Sequence, residues 1–165
     1  LYSFEVSANY TVYDYEHITT NYTSYSFRQF TAIDSTTIQL TNDVSFFIYG
    51  YLKFSEIGDF NWDNFTARPT RFLKELYLEP RFILNYERTI FSIGLRLFGL
   101  NTYSYEQTTK KLSTEYLSLG PIAIIDILAW NNLNIVLRGY YEFITNTNVP
   151  DNQQASLLMQ VNWKF

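Results

Sequence analysis

The sequence predicts an all-β fold, and three observations carry this prediction. Aromatic residues are abundant, with 15 Tyr, 14 Phe and 3 Trp in 165 residues, and such side chains favour strands over helices. No run of apolar residues approaches the ~20 that a membrane-spanning helix needs. Apolar and polar residues instead alternate in eight segments. Together these observations predict an eight-stranded antiparallel up-and-down transmembrane β-barrel. It forms one domain over residues 1–165, and whether further sequence precedes Leu1 stays open.

The first two segments differ in how clearly they alternate. From Tyr2 to Val12, every second residue is apolar and the residues between are polar. A polar stretch over residues 17–23 leads to a second strand near residues 25–33, where the parity of the apolar residues changes. We therefore expect a β-bulge near Arg28, because one extra residue would restore the alternation.

The third and fourth segments are unusually long. A tight turn at residues 34–36 should precede a third strand that extends to Phe54. Residues 56–70 should form the longest loop of the chain. A fourth strand is expected at residues 71–86, again with one apolar and one polar file.

The second half repeats this plan. A tight turn at residues 87–89 leads to a fifth strand, and a polar loop at residues 101–111 separates it from a sixth strand near residues 116–128. The pair Asn131-Asn132 suits a two-residue hairpin. A seventh strand, a loop at residues 145–153 and the closing strand complete the eight.

The connection lengths predict which end of the barrel faces outward. The longer connections cover residues 14–23, 56–70, 101–111 and 145–153, and the others are tight. In an antiparallel meander all tight turns, and both termini, then lie at one end. Outer-membrane barrels have short periplasmic turns and longer outside loops. We therefore expect a bacterial outer-membrane protein with periplasmic termini.

The closing strand carries a family resemblance. Val161, Trp163 and Phe165 end the chain in an alternating apolar file. This ending resembles the C-terminal signal of outer-membrane β-barrels, which implies recognition by the barrel-assembly machinery. The overall plan resembles small OmpA/OmpX-type barrels. A local hairpin, residues 46–54 with 72–84, is similar to Tsx-type nucleoside channels, whose barrels have more strands than this chain supplies.

If the apolar files face lipid, charged residues of both signs point inward. Eight strands enclose a lumen that side chains fill, so these charges should pair with one another. We expect a lumen plugged by charge pairs, with a narrow ion path as the alternative. The expected network consists of Glu5, Asp43, Glu75, Glu79, Arg81, Arg96, Asp126, Arg138 and Glu142, with Lys53 on the same side.

The long third and fourth strands predict a hairpin that stands above the membrane. A membrane strand needs only ~9–11 residues, so their outer halves should be exposed. Aromatic and cationic side chains there suit a protein partner or lipopolysaccharide phosphates, and a solvated hairpin anchored by Arg71 and Lys74 is an equal alternative. The candidate partner surface is Tyr49, Tyr51, Trp62, Phe65, Arg68, Arg71 and Lys74.

Composition argues against several other functions. A net charge of −4 disfavours nucleic-acid binding, and the absence of Cys excludes disulfides and thiolate metal sites. The single histidine, His17, has Tyr15, Glu16 and Thr19 nearby but no Ser in an HxS pairing. We therefore expect no enzyme activity, no metal and no cofactor.

The sequence thus predicts an outer-membrane protein with a structural or surface-interaction role, in contact with outer-membrane lipids and lipopolysaccharide. A narrow porin-like channel, a lipid-modifying enzyme and a soluble lipocalin-type barrel are the alternatives. Conductance would identify the channel, loss of activity on His17→Ala the enzyme, and partition without detergent the soluble barrel.

Overall fold

The computed structural model describes residues 1–14, 24–107 and 109–163. These residues form eight β-strands, and none of them forms a helix long and apolar enough to cross a membrane. His17 and Phe165 lie outside the described residues, so their predicted roles stay predictions. The strands are β1 (Tyr2–Tyr13), β2 (Tyr25–Gln39), β3 (Val44–Asn61), β4 (Thr66–Tyr86), β5 (Thr89–Glu106), β6 (Thr109–Trp130), β7 (Leu133–Asn146) and β8 (Val149–Trp163).

The strands form one antiparallel sheet in chain order, from β1 to β8. Each strand pairs with the next along the chain, so the all-β, eight-stranded and up-and-down parts of the prediction are confirmed. Within the described residues, β1 and β8 are the two edges of the sheet and no pairing joins them. The sheet is therefore open.

The pairing register puts the predicted apolar files on one face of this sheet. Residues that pair across neighbouring strands share a face. Following the partners from one strand to the next, a line of partners, therefore identifies the residues of every strand that lie on the same face. The predicted apolar files of β1 and of β3 to β8 all share the face of this line. The line runs through Phe4, Asp34, Gly50, Leu78, Leu97, Leu119, Phe143 and Gln153.

The apolar face is the exposed one. Ile93 is 65% exposed and Leu157 79% exposed, whereas Glu79, on the opposite polar face, is only 4% exposed. Glu142 on the polar face is buried as well. A water-soluble sheet buries its apolar face and exposes its polar face, so the sidedness of this sheet is inverted.

Burial of charged side chains on the polar face shows that the sheet curves. Arg138 Nη2 on β7 lies 3.8 Å from Glu79 Oε1 on β4. Glu79 is 4% exposed and Glu142 8% exposed although no second layer of described residues covers this face, so the side chains of the face converge over them. Arg96 on β5 likewise reaches Glu142 on β7, at 3.4 Å. The polar face is therefore concave and the apolar face convex.

Two predictions for β2 are wrong. Residues 34–36 lie inside the strand, and the turn follows at residues 40–43. No bulge occurs at Arg28, because β1 and β3 both pair with β2 in unbroken register. The change of parity has another cause: Tyr25 and Phe27 lie on the polar face, which accommodates aromatic side chains elsewhere in the sheet as well.

Three predicted loops are largely strand extensions. Their residues continue β3 to β8, and the remaining turns are short. Phe65, Glu87 and Gln107 adopt left-handed backbone with φ between 50° and 60°, a conformation usually marked by Gly or Asn. The sequence therefore lacks the usual hairpin signal at these turns. The predicted loops 56–70 and 145–153 become turns at residues 62–65 and 147–148, and in the predicted loop 101–111 strand β5 continues to Glu106 and β6 begins at Thr109.

Candidate functional site on the concave face

Charged and aromatic side chains meet on the concave face, in a group that we call the concave cluster. They line a cavity of about 460 Å³. Three guanidinium groups but one carboxylate belong to this lining, and a second carboxylate, Glu142, pairs with Arg96. The lining residues are Phe47, Tyr49, Tyr51, Tyr77, Glu79, Arg81, Arg96, Phe98 and Arg138.

Glu79 is the centre of the concave cluster. Its Oε1 lies 3.1 Å from Arg81 Nε and 3.8 Å from Arg138 Nη2. The Tyr77 hydroxyl donates a hydrogen bond to its other oxygen. One buried carboxylate thus pairs with two guanidinium groups, Arg81 on β4 and Arg138 on β7, and brings them close to each other.

Arg96 occupies the opposite wall of the cluster. Its Nη1 lies 3.4 Å from Glu142 Oε1, and its guanidinium carbon lies 5.6 Å and 4.8 Å from the ring centres of Tyr77 and Tyr140. Its Nε–H is buried and has no hydrogen-bond acceptor among the described residues. Two tyrosines and one carboxylate therefore hold this cation, and its Nε–H is left without an acceptor among the described residues.

Proline interrupts the sheet beside the cluster. Proline has no backbone N–H to donate, and the β4–β5 pairing skips Pro80 while the β6–β7 pairing skips Pro121. The charged residues in these two gaps are Glu79, Arg96 and Glu142. The sequence thus breaks the regular pairing where it places the buried charges.

Two glycines make room for the backbone at the same level. A Cβ at Gly120 would lie 1.6 Å from the carbonyl oxygen of Tyr141, and a Cβ at Gly94 would lie 2.1 Å from that of Pro80. Only a residue without a side chain fits such close approaches, so these positions help to set the packing under the cluster.

The predicted charge network is partly assembled. Of its members, Asp43 lies exposed in the turn at residues 40–43, and the others lie on the concave face. Asp43 was predicted to face inward because the turn was placed too early in the chain. Lys53 Nζ pairs separately with Glu75 Oε1 at 3.0 Å. The members that converge are Glu79, Arg81, Arg96, Arg138 and Glu142; Glu5 and Asp126 do not join them.

Tyr49 and Tyr51 were predicted to belong to an outer surface, and this prediction is wrong. Both side chains line the cavity, and the Tyr51 ring stacks on Tyr77 at 5.4 Å with an interplanar angle of 10°. Tyr77 and Tyr140 were not among the predicted site residues, although both belong to the polar file. Residue parity places both on this face, but it does not show that they contact Arg96.

The β3–β4 turn at residues 62–65 is packed by its own aromatic residues. Trp62 contacts Phe60 at 4.9 Å and Phe65 at 5.9 Å between ring centres, and its indole N–H donates to Ser24 Oγ at 3.0 Å. Phe65 is 75% exposed, and Arg68 and Arg71 are exposed as well. The turn is therefore packed by its own side chains, while Phe65, Arg68 and Arg71 stay exposed.

An aromatic row crosses the convex face below this tip. The ring centres of Phe30 and Phe54 are 6.3 Å apart, those of Phe54 and Phe72 6.0 Å, and those of Phe72 and Tyr103 6.0 Å. Lys110 Nζ lies 3.0 Å from the centre of the Phe72 ring. Three cations accompany this row on the same face: Arg28, Lys74 and Lys110.

Polar contacts follow directly beyond the aromatic row. Arg28 lies 3.6 Å from Glu56, and the Tyr105 hydroxyl donates to Glu56 Oε2 at 3.0 Å. Burial raises the pKa of Tyr105, and the hydrogen bond and negative charge of Glu56 raise it further. The convex face thus changes from apolar to polar at the aromatic row.

In comparisons with known proteins, no family model and no curated protein matches this chain. Among the described residues, no group of three His, Asp or Glu side chains could hold a metal ion. The concave cluster provides guanidinium and hydroxyl donors beside two carboxylates, so its chemistry is electrostatic.

Proposed function

We propose that the chain forms an eight-stranded β-barrel in a bacterial outer membrane and has a structural or surface-interaction role. The observation that carries this proposal is the inverted sidedness of the sheet, with a continuous apolar face exposed and a charged face buried. Hydrocarbon is the environment that stabilises such an apolar face, and a polar interior stabilises the charged one.

The height of the apolar band supports this proposal. The band on β4 lies between Phe82, whose ring contacts Phe46 at 4.9 Å, and Phe72 in the aromatic row. At about 3.3 Å per residue and a tilt near 40°, this stretch spans about 25 Å along the membrane normal, the height of the band in outer-membrane barrels. The aromatic row corresponds to one interface, where amphipathic and aromatic rings prefer to lie.

The strand register supports closure of the sheet. The line of partners that starts at Phe4 ends at Gln153. If β8 slides eight residues along β1, Phe4 comes to lie opposite Val161 and Tyr2 opposite Trp163. An eight-stranded barrel with a stagger of eight has strands tilted by about 36°, which is within the range of membrane barrels. The register also joins apolar residues to apolar residues, as a continuous outer face requires.

Each part of the molecule has a role in this proposal. The ion pairs around Glu79 plug the lumen, and the cations beside the aromatic row, Arg28, Lys74 and Lys110, lie where lipopolysaccharide phosphates would contact them. The β3–β4 hairpin extends beyond the aromatic row as the surface for a protein partner. Val161 and Trp163, on the convex face, belong to the proposed signal for the barrel-assembly machinery.

Cross-linking of the two edge strands tests the proposal. The chain has no Cys, so Tyr2→Cys with Trp163→Cys introduces the only two thiols. We expect oxidation, or a short bifunctional thiol reagent, to join them within one chain in lipid vesicles. The cross-linked protein should keep the heat-dependent gel migration of a folded barrel.

Tyr10→Cys with Trp163→Cys is the matched control, because both residues lie on the convex face but at opposite ends of the strands. It should not cross-link within one chain. Cross-links only between two chains, or a chain that partitions into buffer without detergent, would contradict the proposal.

A narrow channel is the second candidate function. The cavity of about 460 Å³ and the partly exposed Arg138 side chain favour it, because a fully plugged lumen would leave neither. Ion conductance across a planar bilayer is the test. Closed bilayers containing folded protein would remove this candidate and leave the structural role.

A further inference from the structure

The concave cluster carries an excess of positive charge. Arg81, Arg96 and Arg138 face two carboxylates, Glu79 and Glu142. The nearby Lys53 and Glu75 neutralise each other at 3.0 Å and do not change this balance. One positive charge therefore lacks a carboxylate in a partly enclosed cavity, where charges interact more strongly than in water.

The two carboxylates do not satisfy the guanidinium groups of Arg96 and Arg138. Their ion-pair distances, 3.4 Å and 3.8 Å, exceed the 2.7–2.9 Å of a well-formed charge-assisted hydrogen bond. Glu79 Oε1 is shared with Arg81, and Glu79 Oε2 already accepts the Tyr77 hydroxyl. The buried Nε–H of Arg96 has no acceptor among the described residues, and the side chain of Arg138 is 43% exposed. Unused donors thus point to a missing acceptor.

The shape of the cavity fits a small ligand with negative charge. Tyr49, Tyr51 and Phe98 supply aromatic walls, while Glu79, the one carboxylate in its lining, is 4% exposed. A ligand in the cavity would therefore meet guanidinium groups and rings, with little exposed negative charge to repel it. The planar fork of a guanidinium matches the geometry of carboxylate and phosphate oxygens.

We propose that Arg96 and Arg138 form a binding site for an oxyanion, a phosphate or carboxylate group, in the cavity of the concave face. The inference goes beyond the structural role proposed above. It depends on the curvature of the sheet, and it holds whether or not the lumen conducts.

Calorimetric titration of the purified, folded protein tests the proposal. The probes are sodium phosphate and sodium acetate, with sodium chloride at the same ionic strength as the arm that reports simple screening. We expect one phosphate or acetate to bind per chain and chloride to bind weakly or not at all. Whichever oxyanion binds more tightly distinguishes a phosphate site from a carboxylate site.

Two substitutions should change the affinity in opposite directions. Arg138→Gln removes a half-exposed donor and should weaken binding by about tenfold or more, since a charged bidentate contact is lost. Glu142→Gln frees Arg96 from its carboxylate and should tighten binding, a result that a purely structural role of Glu142 would not give. The matched control is Arg88→Gln, which removes an exposed arginine from the β4–β5 turn, outside the cavity lining, and should leave the affinity unchanged.

Wild-type protein that binds neither oxyanion would overturn the proposal, and so would equal affinities of wild type and Glu142→Gln. If Arg138→Gln does not fold, the oxyanion affinity of Glu142→Gln still tests the proposal. If the cysteine pair at positions 2 and 163 forms the cross-link but the protein binds no oxyanion, only the oxyanion site is contradicted and the proposed barrel stands. If the protein binds the oxyanion but the cross-link does not form, only the proposed barrel is contradicted.

Discussion

At the scale of one residue, Leu78 can test whether lipid or water covers the convex face. Its side chain is 40% exposed and lies on β4 midway between Phe72 and Phe82. We predict that Leu78→Arg lowers the free energy of unfolding in lipid bilayers by about 2–4 kcal/mol, the cost of a cation on the lipid face near the midplane. Denaturant unfolding followed by gel migration measures this cost.

Val149→Arg is the control, because Val149 is 57% exposed at the loop end of β8, beyond the apolar band. It should change the stability by no more than about 0.5 kcal/mol, as ordinary surface substitutions do. Equal, small effects at both positions would mean that water and not lipid covers Leu78.

Parity predicted the face of individual residues well and their contacts poorly. Alternation alone placed Glu79, Arg96 and Glu142 on one face, because a strand has a period of two. It did not show that these three residues meet, since the meeting depends on curvature and on the register between strands. Asp43 was placed wrongly for a local reason, the early placement of one turn.

At the scale of elements, Gly120 marks a close approach of strands β6 and β7. We predict that Gly120→Ala destabilises the protein by about 1–3 kcal/mol or more, because the new methyl group would meet backbone that cannot rotate away. Gly139→Ala on β7 is the matched control, since its nearest neighbour would be a side-chain carbon at 3.7 Å. Chemical denaturation of both variants should separate them clearly, and equal stability would mean that the close approach at Gly120 is not rigid.

The connections of β3–β4 and β4–β5 should lie on opposite sides of the membrane. Single cysteines test this prediction. Asn64→Cys and Arg88→Cys each place one thiol at an exposed turn residue of a chain that has no other Cys. An impermeant maleimide added to intact cells should label Asn64→Cys, and it should label Arg88→Cys only after the outer membrane is opened. The opposite pattern would invert the topology and remove the β3–β4 hairpin as an outer surface.

Strands could be predicted from the sequence more accurately than turns. Hydrophobic alternation identified all eight strands, because β1 and β3 to β8 each have one apolar file on the same face of the sheet and only β2 departs from this pattern. The turns were misplaced where left-handed residues such as Phe65 and Gln107 are neither Gly nor Asn. Three predicted loops were placed where the alternation weakens, yet strands β3 to β8 continue through most of these residues.

At the scale of the whole molecule, the seven pairings leave β1 and β8 as edges, and the proposed barrel closes them with a stagger of eight residues. No single strand contains this information, and the sequence did not reveal it, because the register depends on turn lengths and on the uninterrupted pairing of β2. The open sheet and the proposed barrel differ only in the pairing of β1 with β8. The account therefore depends most on what surrounds the convex face.

Spin labels on neighbouring residues test this point most directly. Single cysteines at Tyr77 and Leu78 on β4, and at Ser118 and Leu119 on β6, place labels alternately on the concave and convex faces. In lipid bilayers, labels at Leu78 and Leu119 should collide frequently with oxygen, which dissolves in hydrocarbon, and rarely with a water-soluble nickel chelate. Labels at Tyr77 and Ser118 should not show this preference for oxygen. If the labels at Leu78 and Leu119 collide with the nickel chelate as often as a label at Asn64 does, water covers the convex face and the membrane-barrel account is wrong.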